Sequence, residues 1–524
     1  MNMNNKKLIL ILTLAIIQLT CLNAHLEEDF DESLFPTIDT TDFSKVEDRN
    51  LQQSQERPFK ITYDISFFNQ LKDNPSDILF KQKVEQVMKI AVDYFSNLLK
   101  FIPRGKGQMK WTLERLICGG GNLLARIPEQ DKTEDKDSDL HIYLVYLNEP
   151  LQEYVAYAGI CREIPGSGTT HAQITFNQAW FNKQDLSSHK IFLNMQGSVF
   201  HEIIHVLGFS EKSYTNWIDS TTKQKHNKVT VQQVVRGYKV KFIQTPYVKK
   251  AAQDFFGCPT LPGMPLENQG SAASAGSHWE STVVSDEIMK STVIKTNFYL
   301  SVFTIALLKD TGFYSQVNDE MADQYFYGKG AGCDFVLQEC DSIKNRNEFC
   351  TKETEKPENQ CDFYGNGVSN CESGKFLDNN CMQRAVDDRG YCFDPIKNSK
   401  SSSLYTTYYG QYFGENSKCF MSTLVQKVVG STYDLQGSCY KFECIEQSNM
   451  LKVWAGNESA ICSKNGEKLT FNKYNGYLLC PEKIDQFCQF KKYCPSYCSS
   501  NGYCLQGKCV CLKGYSGKSC EIQN

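Results

Sequence analysis

The sequence predicts an α+β front half joined to a disulfide-rich back half, closed by a small stapled module. Three observations carry this expectation. Strand-like and helix-like stretches alternate up to about residue 330. Nineteen of the 23 cysteines lie at 333–520, against Cys118, Cys161 and Cys258 in the front half and Cys21 at the head of the chain. Residues 494–520 carry six of them at regular spacing, ending in C-x-C and G-Y-x-G-x-x-C.

At the N-terminal end, Lys6 and Lys7 precede an apolar run at 8–19, and Leu22-Asn23-Ala24 offers a small residue for cleavage. This is the layout of a secretory signal peptide over 1–24, too short for a comfortable bilayer span; an uncleaved anchor is the alternative. Cys21 falls within it, which leaves an even 22 cysteines. An even, high count behind a signal peptide reads as disulfides. Residues 25–57 open on EEDFDE and have no apolar period, as in a flexible acidic leader or propeptide, or a solvated tail with no task.

Residues 58–330 form the first expected folded region. FKITYDISFF and LHIYLVYL (140–147) read as strands, and HAQITFN (171–177) as a shorter one. Helical spacing runs through 79–102 and through 185–209, stopping near Gly208. From about 210 to 277 the period is lost, and the segment, which holds a β-rich piece (KVTVQQVVRGYKVKFIQ) and GSAASAGS, reads as an insertion hanging from the core. A cysteine-rich domain at 331–488 and the module at 489–524 complete the organisation.

The net charge of −4 on 524 residues argues against nucleic acid. No stretch after the signal is apolar for long enough to cross a bilayer. The expected location is extracellular or in a secretory compartment, free or membrane-associated.

Residues 198–213 read SVFHEIIHVLGFSEKS. On a helix, positions four apart share a face, so His201 and His205 can offer ring nitrogens to one metal ion. Glu202 projects differently, which suits a base acting on water at that metal. Zinc in such a site lowers the pKa of water and polarises a carbonyl, and the glutamate moves the proton to the leaving amine. Two histidines do not make a site. Gly208 invites the turn after which metzincin peptidases place a third histidine six residues beyond the second, but that position here is Glu211. Downstream lie only His226, in a polar run, and His278, in AGSHWESTVVSDEIMKS.

With HExxH, a displaced HWE and DEIM, the chain resembles leishmanolysin, a metzincin-type zinc peptidase. Looser likenesses in the same order (RPFKITYDIS, AYAGICRE, SVFTIALLKDTGFYSQV, YGKGAGCDFVLQEC, GSCYKFECI) extend this over roughly residues 57–480. The resemblance implies one Zn2+ per chain held by His201, His205 and His278, Glu202 as the catalytic glutamate, and Met289 as the structural methionine of the Met-turn. It implies cleavage of protein or peptide substrates bound strand-fashion, with the ITFN strand as the edge. The family's propeptide carries a cysteine that holds the zinc inactive; no cysteine lies at 25–57, which puts such latency in doubt.

The tail resembles an EGF-like module, whose pairing would join Cys494 to Cys504, Cys498 to Cys509 and Cys511 to Cys520; six cysteines alone permit fifteen patterns. It would serve as a spacer, or bind a cell-surface or matrix protein. Asn457, in NES, is a candidate glycosylation site. His141 and His189 read as structural; His171, just ahead of ITFN, stays open, with no chemical role assigned to it. The rival to a secreted zinc endopeptidase is a secreted adhesion protein with a vestigial metal site.

Overall fold

The structure, a computed structural model, describes residues 55–114, 117–118, 125–268, 275–291, 298–340, 348–350, 359–372, 381–394, 398, 400–414, 416–430, 434–445, 448–489 and 494–524. The expected signal peptide, residues 25–54 of the leader and residues 270–274 of GSAASAGS lie outside these. Among the described residues, no helix is long and apolar enough to cross a membrane.

An ionic anchor stands near the first of the described residues. The Arg57 guanidinium donates to both oxygens of the fully buried Asp139 carboxylate, at 2.6 and 3.0 Å, and the Lys60 N–H donates to the same group. Strand β1 (Ile61–Asp64) follows, then the long helix α1 (Pro75–Leu98). This helix starts four residues earlier than its apolar period alone indicates. Asn74 caps it by accepting from the Asp77 N–H, and Pro75 supplies a preset φ at the first position. It also ends earlier, because Leu99–Phe101 leaves the helix to pair with Arg57–Pro58 on one side and Gln316–Val317 on the other.

Strands β2 (Leu140–Leu147), β3 (Ala156–Ile164) and β4 (Gly168–Asn177) join β1 in one sheet of spatial order β1-β2-β4-β3. The first three in that order are parallel, and β3 pairs antiparallel with β4. One expectation changes here. AYAGICREI is a strand that periodicity does not reveal, because it is buried on both faces and shows no alternation. The edge strand is therefore β3, and the ITFN segment in β4 is interior, flanked on both sides.

One face of the sheet, with Ile142, Leu144 and Ile174, packs on α1 and on helix α2 (His189–Val206). The other face, with Tyr143 and Val145, is covered by Trp111, Ile127 and the Cys118–Cys161 pair. Helix α2 is capped by Ser188, whose side chain accepts from the Ile191 N–H, and its helical geometry stops at Val206. Gly208 then takes φ +134°, and a Cβ there would meet Thr311 Cγ2 at 2.8 Å, so this turn needs glycine.

The segment after α2 is not an appendage. Strands β5 (Thr230–Val235) and β6 (Tyr238–Ile243) form a hairpin, followed by helix α3 (Pro246–Phe256) and strand β7 (Met264–Pro265). Phe242, Val248, Phe256 and Met264 are buried in the same core as α1 and α2. Phe256 stacks on Phe303 of helix α4 (Val302–Asp310) at 5.5 Å. The mixed polarity of 210–277 arises because its outer face is solvated while alternate residues reach the core.

Past residue 330 the first core continues through Phe335, Val336, Phe349 and Tyr364, and a second, smaller core is built around Phe420, Tyr440, Val453 and Leu478. The latter belongs to a six-stranded sheet that includes Ser417–Ser422, Gln436–Ile445, Met450–Ala455 and Glu458–Cys462. All 22 cysteines that follow the expected signal peptide are paired, in eleven disulfides.

Glu163, near the end of β3, is 1% exposed and ties the strand to the turn after α2 by accepting from Asn216 Nδ2 (3.0 Å) and Ser213 Oγ (3.3 Å). Burial pushes its carboxyl from 4.5 up to about 7, against the opposing pull of those two donors. A carboxyl raised in the folded state stabilises fully below its unfolded pKa, and this contribution is lost as pH rises through the folded value. Denaturant unfolding should therefore show the wild type losing up to roughly 3 kcal/mol more than Glu163→Gln between pH 4.5 and 7.5. Equal pH slopes would mean that burial does not perturb this group. Phe256→Ala should cost about 3–5 kcal/mol in the same assay; a loss under about 1 kcal/mol would mean that α3 hangs outside the core.

Candidate metal centre

Helix α2 runs through HEIIH in its last turns, so His201 and His205 project from one face, as their spacing requires. The chain then turns at Gly208, runs through the β5–β6 hairpin, α3 and β7, and returns with His278. The three Nε2 atoms meet: His201 to His205 at 2.9 Å, His205 to His278 at 3.1 Å and His278 to His201 at 3.2 Å. All three rings face one point, and among the described residues no other histidine or carboxylate shares this cluster.

Their far nitrogens decide what this convergence means. His201 Nδ1 lies 2.5 Å from the Ile288 carbonyl and His205 Nδ1 lies 2.7 Å from the Phe209 carbonyl. A carbonyl can only accept, so each Nδ1 carries the proton and each Nε2 presents a lone pair. His278 Nδ1 sits 3.2 Å from the buried Glu267 carboxylate, which favours the same tautomer. Lone pairs so placed cannot satisfy one another; a cation can. A tetrahedral zinc ion with bonds of 2.0–2.1 Å would set its nitrogens roughly 3.3 Å apart, close to the observed triangle. The residues fit the metal.

Electrostatics agree. Burial, then the neighbouring His278, lowers His201 to about 3, and burial with both neighbouring imidazoles lowers His205 well below its ordinary value. Neutral imidazoles are what a metal requires.

Glu202 is 6% exposed, and its Oε2 accepts from the Ala158 N–H of the edge strand at 2.8 Å. Helix and edge strand are thereby linked at the glutamate. Met289 is fully buried in a turn with its carbonyl accepting from the Trp279 N–H, 3.0 Å away, so this turn and the His278 segment are laced together.

Three further residues build the site, and motif spacing does not single them out. Glu287 is fully buried; it accepts from the Met289 N–H (2.5 Å), Ser301 Oγ (2.7 Å) and Thr304 Oγ1 (2.6 Å). It thus pins to α4 the very turn whose Ile288 carbonyl orients His201. Glu267 also accepts from Ser291 Oγ at 2.6 Å, which joins His278 to the stretch following Met289. Glu211, where a six-residue spacing would put the third ligand, instead pairs with Lys241, and its N–H donates to Ser277 Oγ at 3.2 Å. It holds the returning segment one residue from His278. No spacing rule reveals Glu267; the six-residue count marks Glu211 only as a missing ligand, and Glu287 is visible only as part of DEIM.

The other described histidines stand apart. His226 Nε2 contacts the Asp310 carbonyl at 2.8 Å. His141 and His171 are buried register partners on β2 and β4, with Nδ1 on Thr62 and Thr170 hydroxyls. His189, at the start of α2, contacts Ser500 Oγ at 2.8 Å. Asn457 sits exposed in a turn. In the tail, Cys494 is bonded to Cys504, Cys498 to Cys509 and Cys511 to Cys520.

Comparison with known proteins places the chain in a family. The sequence profile described as leishmanolysin matches residues 71–373, and one described as a teneurin-like EGF domain matches 494–523. The ciliated left-right organizer metallopeptidase of Danio rerio is 27% identical over 304 residues, covering 57% of this chain and 46% of that protein. The leishmanolysin-like peptidase of Drosophila melanogaster is 25% identical over 422 residues, covering 62% and 60%. That of Caenorhabditis elegans is 32% identical over 176 residues, covering 28% and 26%. The chain spans about half the length of the curated relatives it matches. With the leishmanolysin profile covering more than half of its residues, the chain belongs to the leishmanolysin family of metallopeptidases.

Proposed function

We propose that the chain is a secreted zinc-dependent endopeptidase of metzincin type. The observation that carries this reading is the convergence of three Nε2 lone pairs beside a buried glutamate. His201, His205 and His278 would hold the ion. When bound, zinc supplies Lewis acidity, which lowers the pKa of water and polarises a peptide carbonyl.

The protein's own groups do the rest. Glu202 takes the proton of the attacking water and returns it to the leaving amine. Its bond to the Ala158 N–H holds the carboxylate at the sheet edge, where an extended peptide adds to β3 as a further strand. The scissile carbonyl is thus delivered next to the proton carrier, and the nucleophile is water, so no covalent intermediate forms. Met289 and Glu287 act by holding the turn that orients His201. The catalytic region is assigned to 58–330, the cysteine-rich domain to 331–488 and the EGF-like module to 489–524. Entry into the secretory pathway through 1–24 accounts for the full pairing of the cysteines and leaves Asn457 available for glycosylation.

Purified wild type and Glu202→Ala should be compared on casein, with zinc measured in both. We expect chelator-sensitive cleavage by the wild type, a loss of at least about 10²-fold in the variant, and equal zinc. Full zinc without cleavage by the wild type, even after trimming to near Arg57, would sink the peptidase reading. Separately, Glu267→Ala should raise the zinc dissociation constant about 10–100-fold, since a carboxylate on the far nitrogen of a ligand orients it and increases its basicity. An unchanged constant would remove Glu267 from the metal's support.

A further inference from the structure

The EGF-like module lies against the helix that carries HExxH. Tyr503, on its strand Gly502–Leu505, is 3% exposed and belongs to the main hydrophobic core. Its ring meets Tyr94 of α1 edge-on at 5.0 Å, and Tyr94 in turn packs on Phe200 at 4.4 Å. Phe200 is fully buried and immediately precedes His201.

Polar contacts surround this plug. Asn97 Nδ2 donates to the Tyr503 hydroxyl at 3.2 Å. Gln86 Nε2 donates to the Ser500 carbonyl (2.8 Å) and to Asn501 Oδ1 (3.2 Å). On α2, His189 meets Ser500 Oγ at 2.8 Å and Gln196 Nε2 donates to the Gly502 carbonyl at 3.5 Å. Gln506 Nε2 donates to the Glu320 carbonyl at 2.9 Å. A buried aromatic ringed by satisfied hydrogen bonds is the anatomy of a specific interface, not of a tethered spacer.

All three disulfides of the module are internal to 494–520, so no covalent bond other than the chain itself ties it to the core. We propose that the partner of this module is the chain's own helix pair: the α1–α2 surface is its binding site, Tyr503 is the anchor, and the module braces the helix bearing the metal-binding histidines. The contacts occupy the first half of α2, from His189 to Gln196, and leave the HExxH half free. The brace therefore acts from behind the helix, without approaching the site.

The test uses the full chain with a specific protease sequence replacing residues 490–493, which precede Cys494. After cutting, the module should co-elute with the remainder on gel filtration under native conditions. Tyr503→Ala in the same background should release it on cutting, and uncut should lower the melting temperature by roughly 3–6 °C. Separation of the cut wild-type module would overturn the proposal, and that arm needs no point variant to fold. So would Tyr503→Ala that co-elutes and melts as wild type does. Neither readout depends on peptidase activity, so this inference and the catalytic reading can fail separately.

Discussion

Three imidazole lone pairs aimed at one point repel each other, and much of the catalytic region can be understood as the frame that holds them there. Buried donors must be satisfied, and the cost of leaving one unpaired is about 1–3 kcal/mol. The fold uses this cost. By placing the Ile288 and Phe209 carbonyls on the Nδ1 side of His201 and His205, it makes any ring flip break a buried hydrogen bond. The metal-facing tautomer is thus selected from behind, before an ion arrives.

The long detour to the third histidine carries an entropic cost. Closing a 73-residue loop from His205 to His278, in place of a six-residue one, costs roughly 2 kcal/mol more by chain entropy alone. That penalty is modest, and the detour offsets it by folding. Val248 and Phe256 of α3 are fully buried, and each such side chain stabilises by about 1.5–3 kcal/mol. A floppy loop of that length would deliver His278 without fixing it. A packed hairpin and helix deliver it at a set angle, with Glu211 and Lys241 paired just ahead of this histidine.

The parts of this site that sequence reveals are those governed by local periodicity. His201, Glu202 and His205 follow from 3.6 residues per turn, and Gly208 from a backbone angle only glycine adopts freely. His278 is legible only through a family likeness, because no local rule ties it to His205 across so long a detour. Glu267 and Glu287 are harder still, since a buried carboxylate among hydroxyls looks the same in sequence as a surface one. The edge strand is hidden for the opposite reason. β3 is buried on both faces, so AYAGICREI lacks the alternation that marks a half-exposed strand, whereas ITFN resembles a terminal strand and lies between two neighbours. Helix α3 escapes because it falls within a stretch of mixed polarity.

Tyr503 shows how module boundaries can mislead when read from cysteine spacing. Six cysteines in thirty residues make a unit that is stapled rather than packed, and such a unit needs no core of its own. It can therefore expose a large aromatic that a self-sufficient domain would bury. An exposed tyrosine of that kind is a liability unless something covers it, and here α1 and α2 do. The same economy appears at Phe335 and Phe349, which follow residue 330 yet stack together in the first core at 5.1 Å. The back half thus contributes apolar surface to the front while drawing its own rigidity from disulfides. Covalent independence and energetic independence are different properties, and in this chain the cysteines report only the first.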